Sequence, residues 1–224
     1  MPRHTRGFDT QVAYEHLVRR DRKLGTWMQR IGYLEPQPNW KQRFDPVDAL
    51  ARAILYQQLS GKAAATIVGR VETAVGSKRL HSDTLGCIDD AALRACGVSG
   101  NKVLALRDLS VREADGAIPN LQQMSTMHQD EIVAALVPVR GIGRWTVEMM
   151  LMFRLGRPDV LPIDDLGIRK GAQRVDKQAQ MPAPKELLAR GERWGPYRTY
   201  ASLYLWRIAD LATEAKAPTK RSQD

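Results

Sequence analysis

Cysteine is scarce in this chain: Cys87 and Cys96 are the two among 224 residues. Two thiols cannot build a disulfide framework, and neither stands at metal-ligand spacing from a histidine, so both are expected as reduced side chains in or near a core. Long apolar runs are missing too. No window reaches the length of a membrane span, and the N-terminal Met-Pro-Arg-His-Thr-Arg lacks the apolar segment of a secretory signal. The expectation is an intracellular protein, neither secreted nor membrane-bound. Period-two alternation never persists long enough for a sheet, and no internal repeat is evident, which leaves an all-α chain. Acidic residues are in deficit: 34 Lys and Arg face 25 Asp and Glu, giving a net charge of +9 and a pI near 9.8. That balance favours a polyanionic partner, although a solvated basic surface is the competing explanation of charge alone.

Helical periodicity fills the chain instead. Tyr14, Leu17, Val18, Leu24, Trp27, Met28 and Ile31 keep three-and-four spacing from Thr10 to Ile31, predicting a long amphipathic helix with a break near Gly25. Pro36, Pro38 and Asn39 form a linker. Asp45 before Pro46 is an N-cap with proline at the first helical position, and that helix is expected to run to about Leu59. Ser60-Gly61 turns the chain into a helix from Lys62 to Val75. Shorter helices are expected at about 89–96, 100–115, 119–123 and 128–137, and later ones at about 165–175, 183–194 and 196–214. From Glu214 the tail EAKAPTKRSQD is charged and apolar-poor, the composition of a disordered segment. The length permits one large or two small domains. The expected division is a terminal helical subdomain of residues 1–45 and 165–224 and a central one of residues 46–164.

The densest chemistry lies between Leu136 and Lys170. Gly141-Ile142-Gly143 separates an apolar-periodic segment (Ile132, Val133, Leu136, Val137) from one opening at Trp145, which predicts a tight turn between two helices. Glycine at both ends lets the backbone approach a ligand closely. The amides of Gly141, Gly143 and the first turn of the next helix are then unpaired donors at the positive end of a helix dipole, an anion site that a DNA phosphate fits. Further on, Asp164 follows Val160-Leu161-Pro162-Ile163, an apolar approach that predicts a carboxylate held close to the protein interior. Asp164 and Asp165 compete for a catalytic role and for the commoner one of capping a helix that starts at Leu166.

With these residues the sequence resembles the helix-hairpin-helix base-excision DNA glycosylases, and among them the 3-methyladenine DNA glycosylase II branch. The family pattern is a G-h-G hairpin, a helix of small and apolar residues, and a short loop ending in an Asp. Here these are Gly141-Ile142-Gly143, Trp145 to Phe153, and Pro162-Ile163-Asp164. Ala53-Ile54-Leu55-Tyr56-Gln57-Gln58-Leu59-Ser60-Gly61-Lys62-Ala63-Ala64 is similar to the family's helix, turn and DNA-wedge segment. Gly97-Val98-Ser99-Gly100-Asn101-Lys102 before Leu104 to Leu109, and Arg193-Trp194-Gly195-Pro196-Tyr197 leading to Trp206, are further matches. They span residues from about 45 to 208 in the family's order.

The resemblance implies an all-α fold of two helical subdomains flanking a DNA-binding cleft. It implies a monofunctional glycosylase that hydrolyses the N-glycosidic bond of alkylated purines, 3-methyladenine and 7-methylguanine first, in double-stranded DNA. The enzyme is expected to be a monomer, at the nucleoid of a bacterium or in a eukaryotic nucleus. Bifunctional members carry a lysine directly after the hairpin that forms a Schiff base with the sugar; Trp145 stands there in this chain. Several members carry a four-cysteine iron-sulfur cluster after the catalytic region. No cysteine follows Cys96, so neither that cluster nor any required cofactor is expected. Longer members open with a sheet domain, for which about 45 residues before the wedge helix leave no room. Two other readings remain. One is a non-catalytic helix-hairpin-helix lesion binder, which has no need of an acid at position 164. The other is a glycosylase for oxidised or mismatched bases, which the missing lysine and cluster disfavour.

Aligned without a gap from Pro162, Asp164 falls on the family's catalytic position. Trp145, Met149, Tyr197 and Trp206 correspond to a base pocket whose electron-rich wall suits a cationic purine, with ordinary core packing as the competing role. Gln58 matches the DNA wedge, while Leu59 is chemically more typical of one. The resemblance assigns Gly141, Gly143, Arg144, Thr146, Lys62, Ser99, Asn101 and Lys102 to the DNA backbone, where they would position the duplex without reading its sequence. It also implies a monovalent cation on the backbone carbonyls of Val137, Val139 and Ile142.

Overall fold

A computed structural model describes residues 4–214. Among them are thirteen α-helices, two short 3-10 turns and no strand, so the all-α expectation holds. The helices are α1 (Thr10–Arg20), α2 (Arg22–Ile31), α3 (Pro46–Tyr56), α4 (Gly61–Val75), α5 (Ser82–Leu85), α6 (Asp90–Ala95), α7 (Gly100–Ala114), α8 (Leu121–Met124), α9 (Gln129–Leu136), α10 (Arg144–Phe153), α11 (Leu166–Asp176), α12 (Pro184–Gly191) and α13 (Arg198–Glu214). No described helix is long and apolar enough to cross a membrane. The tail expected to be disordered beyond Glu214 lies outside the described residues.

The chain divides into two units: Lys41–Met150 with the N-terminal residues up to Thr5, and Arg6–Trp40 with residue 151 onward. The segment 151–164 therefore belongs with the terminal unit and not, as the sequence suggested, with the central one. The reason lies in its main chain. Trp40 Nε1 donates to the Met152 carbonyl at 2.7 Å, Arg6 donates to the Arg154 carbonyl, and the Thr199 hydroxyl donates to Arg157 and accepts from the Val160 amide. These buried backbone groups find their partners in the terminal unit, where leaving them unpaired would be costly.

In the central unit α3 begins as the sequence predicts. Asp45 accepts the amides of Val47 and Asp48 at 2.9 and 3.2 Å, and Pro46 occupies the first turn. Its buried stripe, Leu50, Ile54 and Leu55, belongs to a helix that packs on α7, which buries Val103, Leu106 and Leu109. The helix stops at Tyr56, earlier than the predicted Leu59. Gln58 has φ +58, outside the right-handed region, and Lys102 Nζ donates to the Leu55 and Gln57 carbonyls, both at 2.8 Å. An ammonium thus takes the place of the next helical turn for carbonyls that a helix end leaves open.

In the terminal unit the break between α1 and α2 falls at Asp21 rather than Gly25. Asp21 ends α1 and N-caps α2, its carboxylate accepting the Leu24 amide at 3.1 Å. Gly25 lies inside α2 because a Cβ there would stand 3.1 Å from the Val18 backbone, so glycine lets the two helices meet closely. A similar device shapes α11. Gly167 and Gly171, one turn apart on one face, oppose α13: a Cβ on Gly171 would lie 2.1 Å from the Leu205 carbonyl oxygen, and one on Gly167 2.7 Å from Trp206. Backbone-to-backbone packing of α11 and α13 brings Trp206 onto the residues that start α11. Around this pair Leu17, Leu24, Met28, Ile168, Trp194, Tyr200 and Tyr204 form a fully buried core.

Candidate functional site

The hairpin belongs to the central unit and has two distinct glycines. Gly141 is left-handed (φ +79), and a Cβ on it would press to 3.3 Å from that of Ala105 on α7, so the fold itself demands glycine. Gly143 has no such constraint: φ is ordinary, and a Cβ there would meet none of the described residues within 4 Å. The turn is braced from three sides. The Ile142 amide donates to Val139 at 3.0 Å, the Arg140 amide to Asp108 Oδ2 at 2.8 Å, and Gln57 Nε2 to the Gly141 carbonyl at 2.7 Å. Burial alone would raise the Asp108 carboxyl; its bonds from the Arg140 amide and Arg112 outweigh this and hold it below the usual range. The Gly143 carbonyl accepts from the amides of Thr146 and Val147, starting α10. The amides of Gly141, Gly143 and Arg144 have no acceptor among the described residues, as an anion-binding turn requires. The carbonyls of Val137 and Ile142 are likewise unbonded among those residues.

The paired acids belong to the terminal unit and point to different tasks. The Asp165 amide donates to the Pro162 carbonyl at 3.2 Å, closing a tight turn with Ile163 and Asp164 at its tip. Asp165 then N-caps α11 through Oδ1, which accepts the Ile168 amide at 2.8 Å and also Trp206 Nε1 at 2.8 Å. Asp164 is exposed, and its carboxylate has no hydrogen bond or ion pair among the described residues. The expected position close to the interior is thus corrected: the apolar run Val160–Ile163 leads into the turn, and the turn projects Asp164 outward. Trp206 is held tightly. Its indole N–H is bound by Asp165, Gly167 leaves space for its ring, and Phe153 stacks on it at 5.9 Å with 22° between planes.

The remaining sequence candidates fall into two groups. Trp145 is 51% exposed at the start of α10, Met149 is half-buried one turn later, and Thr146 lies between them. Arg144 is exposed and pairs with Glu148 at 3.0 Å. Gln58 and Leu59 are both exposed in the turn after α3, and Lys62, Ser99 and Asn101 are exposed at the starts of α4 and α7. Tyr197 packs between Phe8 and His16, at 6.0 and 5.3 Å, in the manner of a core aromatic. Lys102 is half-buried and braces the end of α3: its ammonium donates to the Leu55 and Gln57 carbonyls, and burial lowers its pKa. Sequence reasoning missed Gln57 and Phe153. It left unread the glycine pair at Gly167 and Gly171, whose helical spacing was a usable sign of close packing at Trp206.

Comparison with known proteins places the chain in a family. The family described as HhH-GPD superfamily base excision DNA repair protein matches residues 51–196. DNA-3-methyladenine glycosylase 1 of Schizosaccharomyces pombe is 32% identical over 202 residues, covering 90% of this chain and 88% of that relative. A crystal structure of DNA-3-methyladenine glycosidase from Bacillus halodurans superposes with a TM-score of 0.81 at 33% identity, over 90% of this chain and 91% of that one. The Schizosaccharomyces pombe 3-methyladenine DNA glycosylase, solved in complex with abasic DNA, gives 0.76 at 32% identity, over 89% of this chain and 97% of that one. The chain belongs to the HhH-GPD superfamily of base excision DNA repair proteins.

Proposed function

We propose that this protein is a monofunctional DNA-3-methyladenine glycosylase that binds double-stranded DNA as a monomer and hydrolyses the N-glycosidic bond of alkylated purines. The observation that carries the reading is the difference between neighbouring acids: Asp165 is engaged by Ile168 and Trp206, while Asp164 has no partner among the described residues. An alkylated purine turned out of the duplex is a cation, and an indole face next to that turn attracts it. Methylation at N3 or N7 already makes the base a good leaving group. As the bond from C1′ to the purine breaks, its electron pair leaves with the base, and water supplies hydroxide to C1′. Asp164 stabilises the positive charge that develops on the sugar and orients that water, whose proton goes to the carboxylate or to solvent. The hairpin amides grip a phosphate. The carbonyls of Val137, Val139 and Ile142 would hold a monovalent cation, which supplies a fixed positive charge toward that phosphate.

Incubation with methylated duplex DNA and chromatography of the released bases tests the reading. Free 3-methyladenine and 7-methylguanine are expected, with the abasic strand left intact. Because Trp145 occupies the place of an amine nucleophile, borohydride is expected to trap no covalent complex. Intact methylated bases, or efficient trapping that a lysine substitution abolishes, would overturn it.

The two hairpin glycines offer a second test. Gly143→Val is expected to unfold at the wild-type temperature, since its side chain has room, yet to lose affinity for undamaged duplexes of any sequence. Gly141→Val is expected to lose stability as well, by about 1–2 kcal/mol or more for a left-handed residue with a Cβ. Wild-type DNA affinity in Gly143→Val would mean that the turn does not grip the backbone.

A further inference from the structure

The turn after α3 and the hairpin are tied by one side chain. Gln57 sits at the end of α3, immediately before the left-handed Gln58 and the exposed Leu59. Its amide donates to the Gly141 carbonyl at 2.7 Å across 84 residues of sequence. Its own carbonyl is fixed by Lys102 from α7 at 2.8 Å, and Lys102 holds the Leu55 carbonyl as well. The residue is therefore bonded at both its main chain and its side chain, one bond reaching the start of α7 and the other the glycine whose φ of +79 sets the hairpin. An amide on a surface segment would ordinarily be solvated. Here it bridges the two segments assigned above to opposite sides of the same task, one gripping phosphate and the other entering the base stack.

We propose that Gln57 is a positioning residue that couples the hairpin's grip on the DNA backbone to insertion of the wedge, so that phosphate binding helps drive nucleotide extrusion. This rests on the glycosylase reading above. Extruding a base costs unpairing and unstacking, and the cost is smaller where the lesion is mispaired. A wedge held rigidly on the hairpin transmits the strain of backbone gripping to the stack; a loose one swings away. The bridge should therefore matter most where extrusion is hardest.

The test compares Gln57→Leu with the wild type on two duplexes, one with the lesion in its normal pair and one with it opposite a mismatch. Excision from the paired duplex is expected to fall by about five- to tenfold, the worth of one lost hydrogen bond. The fall on the mismatched duplex should be at most about twofold, with both rates taken at saturating protein so that any loss of affinity drops out. Gln57→Glu, which sets a carboxylate against the Gly141 carbonyl, should show the larger loss on the paired duplex. A fluorescent base analogue beside the lesion reads extrusion directly and should report the same order. Equal falls on both duplexes, or none, would overturn the coupling. Thermal unfolding separates general destabilisation from it, and a wild type inactive on both duplexes would instead sink the glycosylase reading.

Discussion

Asp164→Asn is expected to fold and bind DNA normally while excision falls on the order of a hundredfold or more. The side chain lies at the tip of a turn and bonds to no described residue, so replacing its charge leaves nothing in the protein unpaired. What is lost, on the proposed reading, is the negative charge that would face the sugar cation as the base departs. Asp165→Asn is the necessary counterpart. It removes the same charge one residue away but keeps an oxygen that can accept from the Ile168 amide and from Trp206. Its excision rate should stay within about tenfold of wild type, the effect of a slightly displaced aromatic wall. Asp165→Ala, lacking the acceptor altogether, should lose about 1 kcal/mol of stability as the cap of α11 is removed, and more activity than Asp165→Asn as Trp206 is released. Single-turnover rates with methylated DNA and thermal unfolding of the three variants check the assignment. An inactive Asp165→Asn beside a nearly normal Asp164→Asn would reverse it.

Local features of this site were readable because their causes are local. Asp45-Pro46 predicts a helix start from two adjacent residues, and the structure places it there. Gly141 and Gly143 mark the hairpin, although only the structure separates the glycine required by its own φ from the one with open space beside it. The cap at Asp165 was legible from its place before Leu166, but the exposure of Asp164 was not. The apolar run Val160–Ile163 suggests depth, whereas one hydrogen bond from the Asp165 amide to Pro162 turns Asp164 outward. The break in the first long helix was misplaced for a related reason. Gly25 is the poorer helix former, yet Asp21 can end one helix and cap the next, and the Val18 backbone needs the missing Cβ at Gly25. Lys102 and Gln57 carry no local sign of their work at all, because their partners lie 45 to 47 and 84 residues away.

The largest stability effect is expected at Arg190, far from any proposed chemistry in sequence. Its guanidinium donates to Asp21 and, at 2.7 Å, to Asp176, and lies 5.0 Å from the Trp194 ring centroid. Trp194 Nε1 donates to the same Asp21 at 2.7 Å. The Asp21 side chain is 2% exposed, so removing its cationic partner leaves a buried charge, and Arg190→Met should cost about 3–5 kcal/mol. Burial alone would push the Asp21 carboxyl up. The bonds from Arg190, Trp194 and the Leu24 amide outweigh it and hold the carboxyl below its ordinary 3.8. A carboxyl depressed in the folded state contributes stability that is complete above its unfolded value and is lost as pH falls through the folded one. Without Arg190 the burial effect gains weight, the carboxyl rises, and acid no longer weakens the variant through this group. The difference in unfolding free energy between wild type and Arg190→Met should therefore shrink from about pH 7 to about pH 3. Adding Asp21→Asn, which removes the unpaired charge but keeps a single oxygen for the two donors that now bond to Oδ1 and Oδ2, the Leu24 amide and the Trp194 indole, should recover part of the loss. A small, pH-independent loss in Arg190→Met, with no recovery in the double variant, would show that packing against Trp194 and not charge pairing is what this arginine contributes.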